Sequence, residues 1–169
     1  MYYLSQLPKV KSTACMISEP VVFDSEDEII QVALAILANR CKKQPLKVLS
    51  PADMGNFLTL SLAEEEREVF GVVLLDNQNV LIDIVPLFFG SISSASIYPR
   101  EVLKLVLERN ASAIMVYHNH PSGILEPSQA DLTITTKLET ACGHIDVQVL
   151  DHIIVSSQGY VSLKQIGKM

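Results

Sequence analysis

The stretch Ala113-Ile114-Met115-Val116-Tyr117-His118-Asn119-His120-Pro121-Ser122-Gly123 decides how the rest of the chain is read. Ala113 to Tyr117 is a short apolar strand that runs straight into His118. At a strand end, His118 and His120, two apart, send their rings to the same side. Pro121 and Gly123 stop the strand at once, so the pair sits at a sheet edge opening into a loop, where chemistry is commonly placed. Pro127 then opens a helix reaching Cys142, with Gly143 as its C-cap. Asp131 lies in the first turn of that helix, eleven residues after His120. Two imidazoles and a carboxylate fill three corners of a zinc tetrahedron and leave one open, the pattern of a catalytic zinc site rather than a closed structural one. Zinc lowers the pKa of bound water to about 7. The bland alternatives are a structural or exposed histidine pair, and an aspartate that merely completes the capping pattern Ser128-x-x-Asp131. Two of only four histidines at this spacing, beside Pro and Gly, favour the metal.

Upstream, Val69 to Leu75 is an apolar run with β-branched members, the pattern of a strand buried on both faces. Asp76 to Asn79 makes a turn, and Val80 to Phe89 a second strand paired as a hairpin, with Pro86 at a bulge or edge. Gly90 to Ser94 reads as a turn or short strand. Pro99 opens a helix to about Asn110, with Val102, Leu103, Val106 and Leu107 as its apolar face. Nearer the start, Ser25 and Glu28 form a capping-box pattern for a helix over about 26 to 42, whose apolar face is Ile29, Ile30, Ala33, Leu34 and Leu37. Gln44-Pro45 ends it. A second helix follows Ser50-Pro51 through Met54, Phe57, Leu58 and Leu62. Downstream, strands are expected near 145–149 and 152–156, with a hairpin at Gln158-Gly159. The order predicts an α/β fold, a central mixed β-sheet flanked by helices.

The chain has 169 residues, 49% of them apolar and 19% charged, with a net charge of −6, which suits one globular domain with a sizeable core. It divides into an N-terminal arm (1–23), an N-terminal helix (24–49) and a main domain (50–169). An acidic chain without an aromatic and basic stripe is poorly suited to gripping DNA. Cys15, Cys41 and Cys142 are odd in number and widely spaced, which argues against a disulfide framework and against a cysteine zinc site. No apolar run is long enough to span a membrane, and the N-terminus is not a secretory signal. The expected location is cytoplasmic.

The run His118-Asn119-His120-Pro121-Ser122-Gly123, followed by Pro127-Ser128-x-x-Asp131, resembles the JAMM (MPN-plus) metalloprotease motif. More narrowly it resembles the bacterial RadC family, historically called DNA-repair proteins. Tyr98-Pro99-Arg100-Glu101-Val102, Asn110-Ala111 and Asp151-His152-Ile153-Ile154-Val155 support the narrower match, which runs from about Pro51 to Ile166. The resemblance implies a JAB/MPN-like sheet with the layering of cytidine deaminases. It also implies one zinc ion on His118, His120 and Asp131, and a Ser128 hydroxyl that helps hold a developing oxyanion. A glutamate at the start of the first strand is implied as general acid and base. Glu68 is the candidate because Val69 follows it directly, and Glu66 is the second choice; two steps along a strand keep a side chain on the same face. The competing role for Glu68 is an ion pair with Arg67 or Lys104. His152 is read as a structural histidine in preference to a group orienting a ligand. His144 is read as an exposed strand residue.

Two positions depart from the family pattern: Tyr98 stands where His is common, and Ile124 where Asp or Asn is common. Residues 1–50 also lack the glycine-rich helix-hairpin-helix-like region of longer members, so the chain reads as a short form. The expected function is a zinc-dependent hydrolase cleaving a peptide or isopeptide bond of an unidentified protein or peptide. The alternative is a DNA-repair-associated accessory protein whose zinc site is structural or of unknown substrate. A scaffold role ranks last because the ligands are all present, and a nucleobase deaminase is disfavoured because its PCxxC element is absent. Strand edges and the arm leave a homodimer open.

Overall fold

Val69 to Leu75 carries no polar side chain, and all seven residues are buried in strand β1 (Val69–Leu75). The computed structural model describes residues 25–43, 46–62, 65–90 and 97–169. The arm over 1–23, Gln44-Pro45, and Ser91 to Ser94 of the expected turn lie outside the described residues. The other strands are β2 (Leu81–Phe89), β3 (Ala113–Asn119), β4 (Gln148–Ser156) and β5 (Gly159–Ser162). They form a five-stranded sheet of order β2-β1-β3-β4-β5. β1 runs antiparallel to β2 and β3, β3 parallel to β4, and β4 antiparallel to β5, so the sheet is mixed, as expected.

The helices among the described residues are α1 (Glu26–Lys43), α2 (Pro51–Leu62), α3 (Pro99–Glu108) and α4 (Gln129–Gly143). Strand alternation divides the apolar residues between two faces. Phe70, Val72 and Leu74 pack with Val102 and Val106 of α3 and Ile134 and Leu138 of α4. Val69, Val73 and Leu75 pack with Leu34 of α1 and Met54, Phe57, Leu58 and Leu62 of α2. The result is a helix–sheet–helix α/β fold of JAB/MPN-like form. The parallel pair β3 and β4 is joined through α4, as a parallel crossover requires. The C-terminal end of β3 therefore opens toward the start of α4.

Gly71 is the close approach within the sheet. A Cβ there would lie 2.3 Å from the Tyr117 ring and 2.7 Å from the Val85 carbonyl. Pro86 lies on the edge strand β2, where the register with β1 shifts, as the hairpin reading required. Ser25 caps α1, its Oγ accepting from Glu28 N at 3.2 Å.

Several boundaries differ from expectation. The strands expected at 145–149 and 152–156 are one strand, β4, because a bulge absorbs Leu150: Ile114 pairs with Val149 and Met115 with Asp151. β3 extends to Asn119, which places His118 inside the sheet. On α3 Leu105 is buried and Leu107 is 64% exposed, because the face that meets the sheet follows Val102, Leu105 and Val106. Gly143 is the last residue of α4 rather than its left-handed cap. That conformation falls on Asp146 (φ 56°), and Val147 N donates to Cys142 O at 3.0 Å. His144 is exposed in the following turn, not on a strand. No described helix is long and apolar enough to cross a membrane.

Candidate metal centre

His118 comes from the C-terminal end of β3 and is fully buried. His120 lies one residue past the strand, held in line with β4 by its N–H donating to Val155 O at 2.8 Å. Gly123, at φ 81°, turns the loop back, a conformation that favours glycine. The turn brings the Ile124 carbonyl to His120 Nδ1 at 2.6 Å. The departure at Ile124 is therefore harmless to this bond: its carbonyl is used, and its side chain is 61% exposed.

Asp131 is the third residue of α4 and is buried. Ser128 is the N-cap, and the two form a reciprocal capping box. Ser128 Oγ accepts from Asp131 N at 3.2 Å, while Ser128 N and Oγ each donate to Asp131 Oδ2 at 2.7 Å. The capping pattern and the proposed ligand are thus the same carboxylate. Its Oδ1 faces His118, and the capped Oδ2 also faces His120.

His118, His120 and Asp131 form a group that could hold a metal ion, with ligand atoms within 4.8 Å of one another. His118 Nε2 is 2.8 Å from His120 Nε2 and 3.3 Å from Asp131 Oδ1; His120 Nε2 is 3.6 Å from Asp131 Oδ2. Tetrahedral ligands at zinc distances stand about 3.3 Å apart, so these separations fit a shared ion. The donor set asks for one. The Ile124 carbonyl only accepts, so His120 carries a proton on Nδ1 and turns its Nε2 to His118 and Asp131. Two ring nitrogens 2.8 Å apart need a proton or a cation between them.

The electrostatics agree. Burial, reinforced by His152, holds His118 well below the ordinary histidine range. The hydrogen bond with Asp131 raises His120 against the effect of burial, and the charge of Glu68 adds to the rise. Burial pushes Asp131 up, but the bonds and charges of His120, His118 and Ser128 outweigh it and leave the carboxyl below the usual range. The site thus holds one firm negative charge between nitrogen donors, which suits a cation.

His152, read from sequence as structural, contacts the centre directly. Its Nε2 is 2.8 Å from His118 Nδ1, and its Nδ1 is 2.6 Å from Thr135 Oγ1. The Met115↔Asp151 pairing places it beside His118's strand, on the same face as Phe70. The Phe70 ring stacks on His118 at 6.4 Å between centroids. Asp151 is structural: its Oδ1 accepts from His152 N and Lys164 N and its Oδ2 from Ser162 Oγ, tying the C-terminal turn to β4. Tyr98 precedes α3 and is 59% exposed.

Phe70 lies opposite His118 across β1 and β3. Two steps back from Phe70 is Glu68, and two steps on from His118 is His120. The register therefore sets half-buried Glu68 against His120 on the histidine face. Lys104, one proposed partner of Glu68, lies 3.9 Å from Glu108 on its own helix. Glu66 is exposed and lines a cleft of about 180 Å³ beside His120, together with Leu62, Glu65, Asn119, Pro121 and Ser156. Asn119 fixes this segment. Its Oδ1 accepts from Val69 N at 2.6 Å and its Nδ2 donates to Glu65 O and Arg67 O at 3.2 and 3.0 Å. Neither Asn119 nor Thr135 is singled out by the sequence reading. Thr135 had a signal, since it stands one helical turn from Asp131 and so shares its face.

The sequence pattern of the RadC-like JAB domain matches residues 48–168. A UPF0758 protein of Pseudoalteromonas translucida is 45% identical over 139 residues, covering 82% of this chain and 62% of the relative. UPF0758 proteins of Shewanella baltica and Shewanella oneidensis are 49% and 48% identical, each over 80% of this chain and 62% of the relative. The chain thus spans about 62% of the length of these curated relatives. With the motif, the layered sheet and a match over most of the described domain in agreement, the chain belongs to the RadC-like JAB domain family.

Proposed function

We propose that this chain is a zinc-dependent hydrolase of JAMM type that cleaves a peptide or isopeptide bond. The observation that carries the reading is the convergence of His118 Nε2, His120 Nε2 and Asp131 on one point at the open end of β3. Zinc held by these three groups would supply an activated water and a polarised carbonyl. Glu68, opposite His120, takes a proton on its carboxylate and returns it to the leaving nitrogen. Ser128 donates its hydroxyl to the developing oxyanion, a role that requires its proton to leave Asp131 Oδ2. The cytoplasm, where thiols stay reduced, is the location proposed with it.

Metal analysis of the purified chain should find about one zinc per chain, and the His118→Ala/His120→Ala variant should find none. Equal zinc in parent and variant would sink the assignment of the ligands. Glu68→Gln should keep the zinc and lose hydrolysis of test peptides and isopeptides. Undiminished hydrolysis would remove Glu68 from the reaction.

A further inference from the structure

Behind the centre, a buried run of hydrogen bonds dictates where His118 carries its proton. Thr135 lies one turn after Asp131 on α4, and its Oγ1 is 2.6 Å from the Asp131 backbone carbonyl. A carbonyl only accepts, so the Thr135 proton points there. The same oxygen is 2.6 Å from His152 Nδ1. With its own proton committed, it accepts, and His152 must carry a proton on Nδ1. His152 is fully buried, where a second proton would place an unpaired charge in the interior. Its Nε2 is therefore bare and accepts from His118 Nδ1 at 2.8 Å. His118, buried as well, is left with a bare Nε2 aimed at His120 Nε2 and Asp131 Oδ1.

We infer that Thr135 and His152 are positioning residues that fix His118 as its Nδ1–H tautomer and so present its Nε2 lone pair to the metal. The run begins and ends on one residue. Asp131 anchors Thr135 through its backbone carbonyl and meets His118 through its carboxylate. One turn of α4 thus sets a ligand and the orientation of that ligand's neighbour. The partner of His118 is an uncharged ring rather than the carboxylate often found behind a metal-bound histidine, so it adds no negative charge to the site. The purpose of the arrangement rests on the metal reading above, whereas the tautomer itself does not.

The test is long-range proton–nitrogen NMR on the full chain with ¹⁵N-labelled histidine, metal-free and with zinc, alongside competition titration of zinc affinity. The metal-free parent should show His118 protonated on Nδ1. Thr135→Val removes the acceptor for His152 Nδ1–H. That proton should move to His152 Nε2 and drive His118 to Nε2–H, weakening zinc about 10- to 100-fold. Thr135→Ser keeps the hydroxyl and should keep both the tautomer and the affinity. His152→Gln retains an acceptor for His118 and should bind zinc more tightly than His152→Phe, which does not. Nε2–H on His118 in the metal-free parent would overturn the inference. So would Thr135→Val with the parent's tautomer and affinity. A parent that binds no zinc yet shows Nδ1–H would overturn the metal reading and leave the tautomer assignment standing.

Discussion

Asn119 sits between the two histidines and faces away from them, toward the segment that carries Glu66 and Glu68. It is 2% exposed, and its amide satisfies three backbone groups of that segment. Replacing it with an apolar residue of like size leaves the buried Val69 N–H without its acceptor, which costs about 1–3 kcal/mol. Asn119→Leu should therefore unfold at lower urea. On the proposed function it should also hydrolyse substrate more slowly while binding zinc like the parent, because the candidate ligands stand on the other face. Zinc lost in step with activity would show that Asn119 does not act through Glu68. At this scale the candidate ligands were legible and the groups around them were not. His118, His120 and Asp131 declare themselves by type and spacing within one short stretch. Asn119 and His152 take their roles from partners far along the chain, and no local pattern announces such a contact. Ser128 was legible twice, as a cap and as a hydroxyl near a metal, and the structure shows the first role in the bond it makes to Asp131.

Among the elements, β1 was read with its observed bounds because an unbroken apolar run between a charged segment and an Asp-Asn turn has clear ends. β4 was broken in two because Leu150-Asp151 interrupts the alternation, and a bulge is invisible until the partner strand is known. The face of α3 was read one step off, since Leu105 and Leu107 both fit a 3–4 spacing until the sheet selects one. Gly71 is the element-scale constraint that no period reveals. Its missing side chain lets Tyr117 lie against β1 and keeps the Val85 carbonyl in register. Gly71→Ala puts a methyl group inside contact distance of both a ring and a backbone carbonyl, and overpacking of this kind costs about 1–3 kcal/mol. Urea unfolding should show that loss, and Tyr117→Phe should not restore it because the obstructing ring remains. A stability equal to the parent's would mean that β1 and β2 move apart freely at Pro86.

For the molecule as a whole, two helix layers close both faces of the sheet, and Cys142 lies within one of those cores at 0% exposure. Burial pushes its thiol from the ordinary value of 9.0 up to about 11. Between those values the unfolded chain has lost a proton that the folded chain keeps, so stability falls as pH rises through that window and is undiminished below it. Unfolding free energies measured from pH 8 to 11 should fall less steeply in Cys142→Ala than in the parent. Identical slopes would show that the thiol titrates alike in both states. The layered architecture was legible because helix and strand periods alternate along the chain, whereas strand order was not, because pairing is chosen between segments. The metal centre divides along the same line. Its three candidate ligands all lie between His118 and Asp131, so bringing them together closes only one short loop. The proton that aims His118 is set by His152, which arrives only with the parallel strand β4. The candidate ligands thus come from one local stretch, whereas the ring behind His118 comes from a distant strand, so a lesion confined to β4 would disturb the aim of a ligand without removing one.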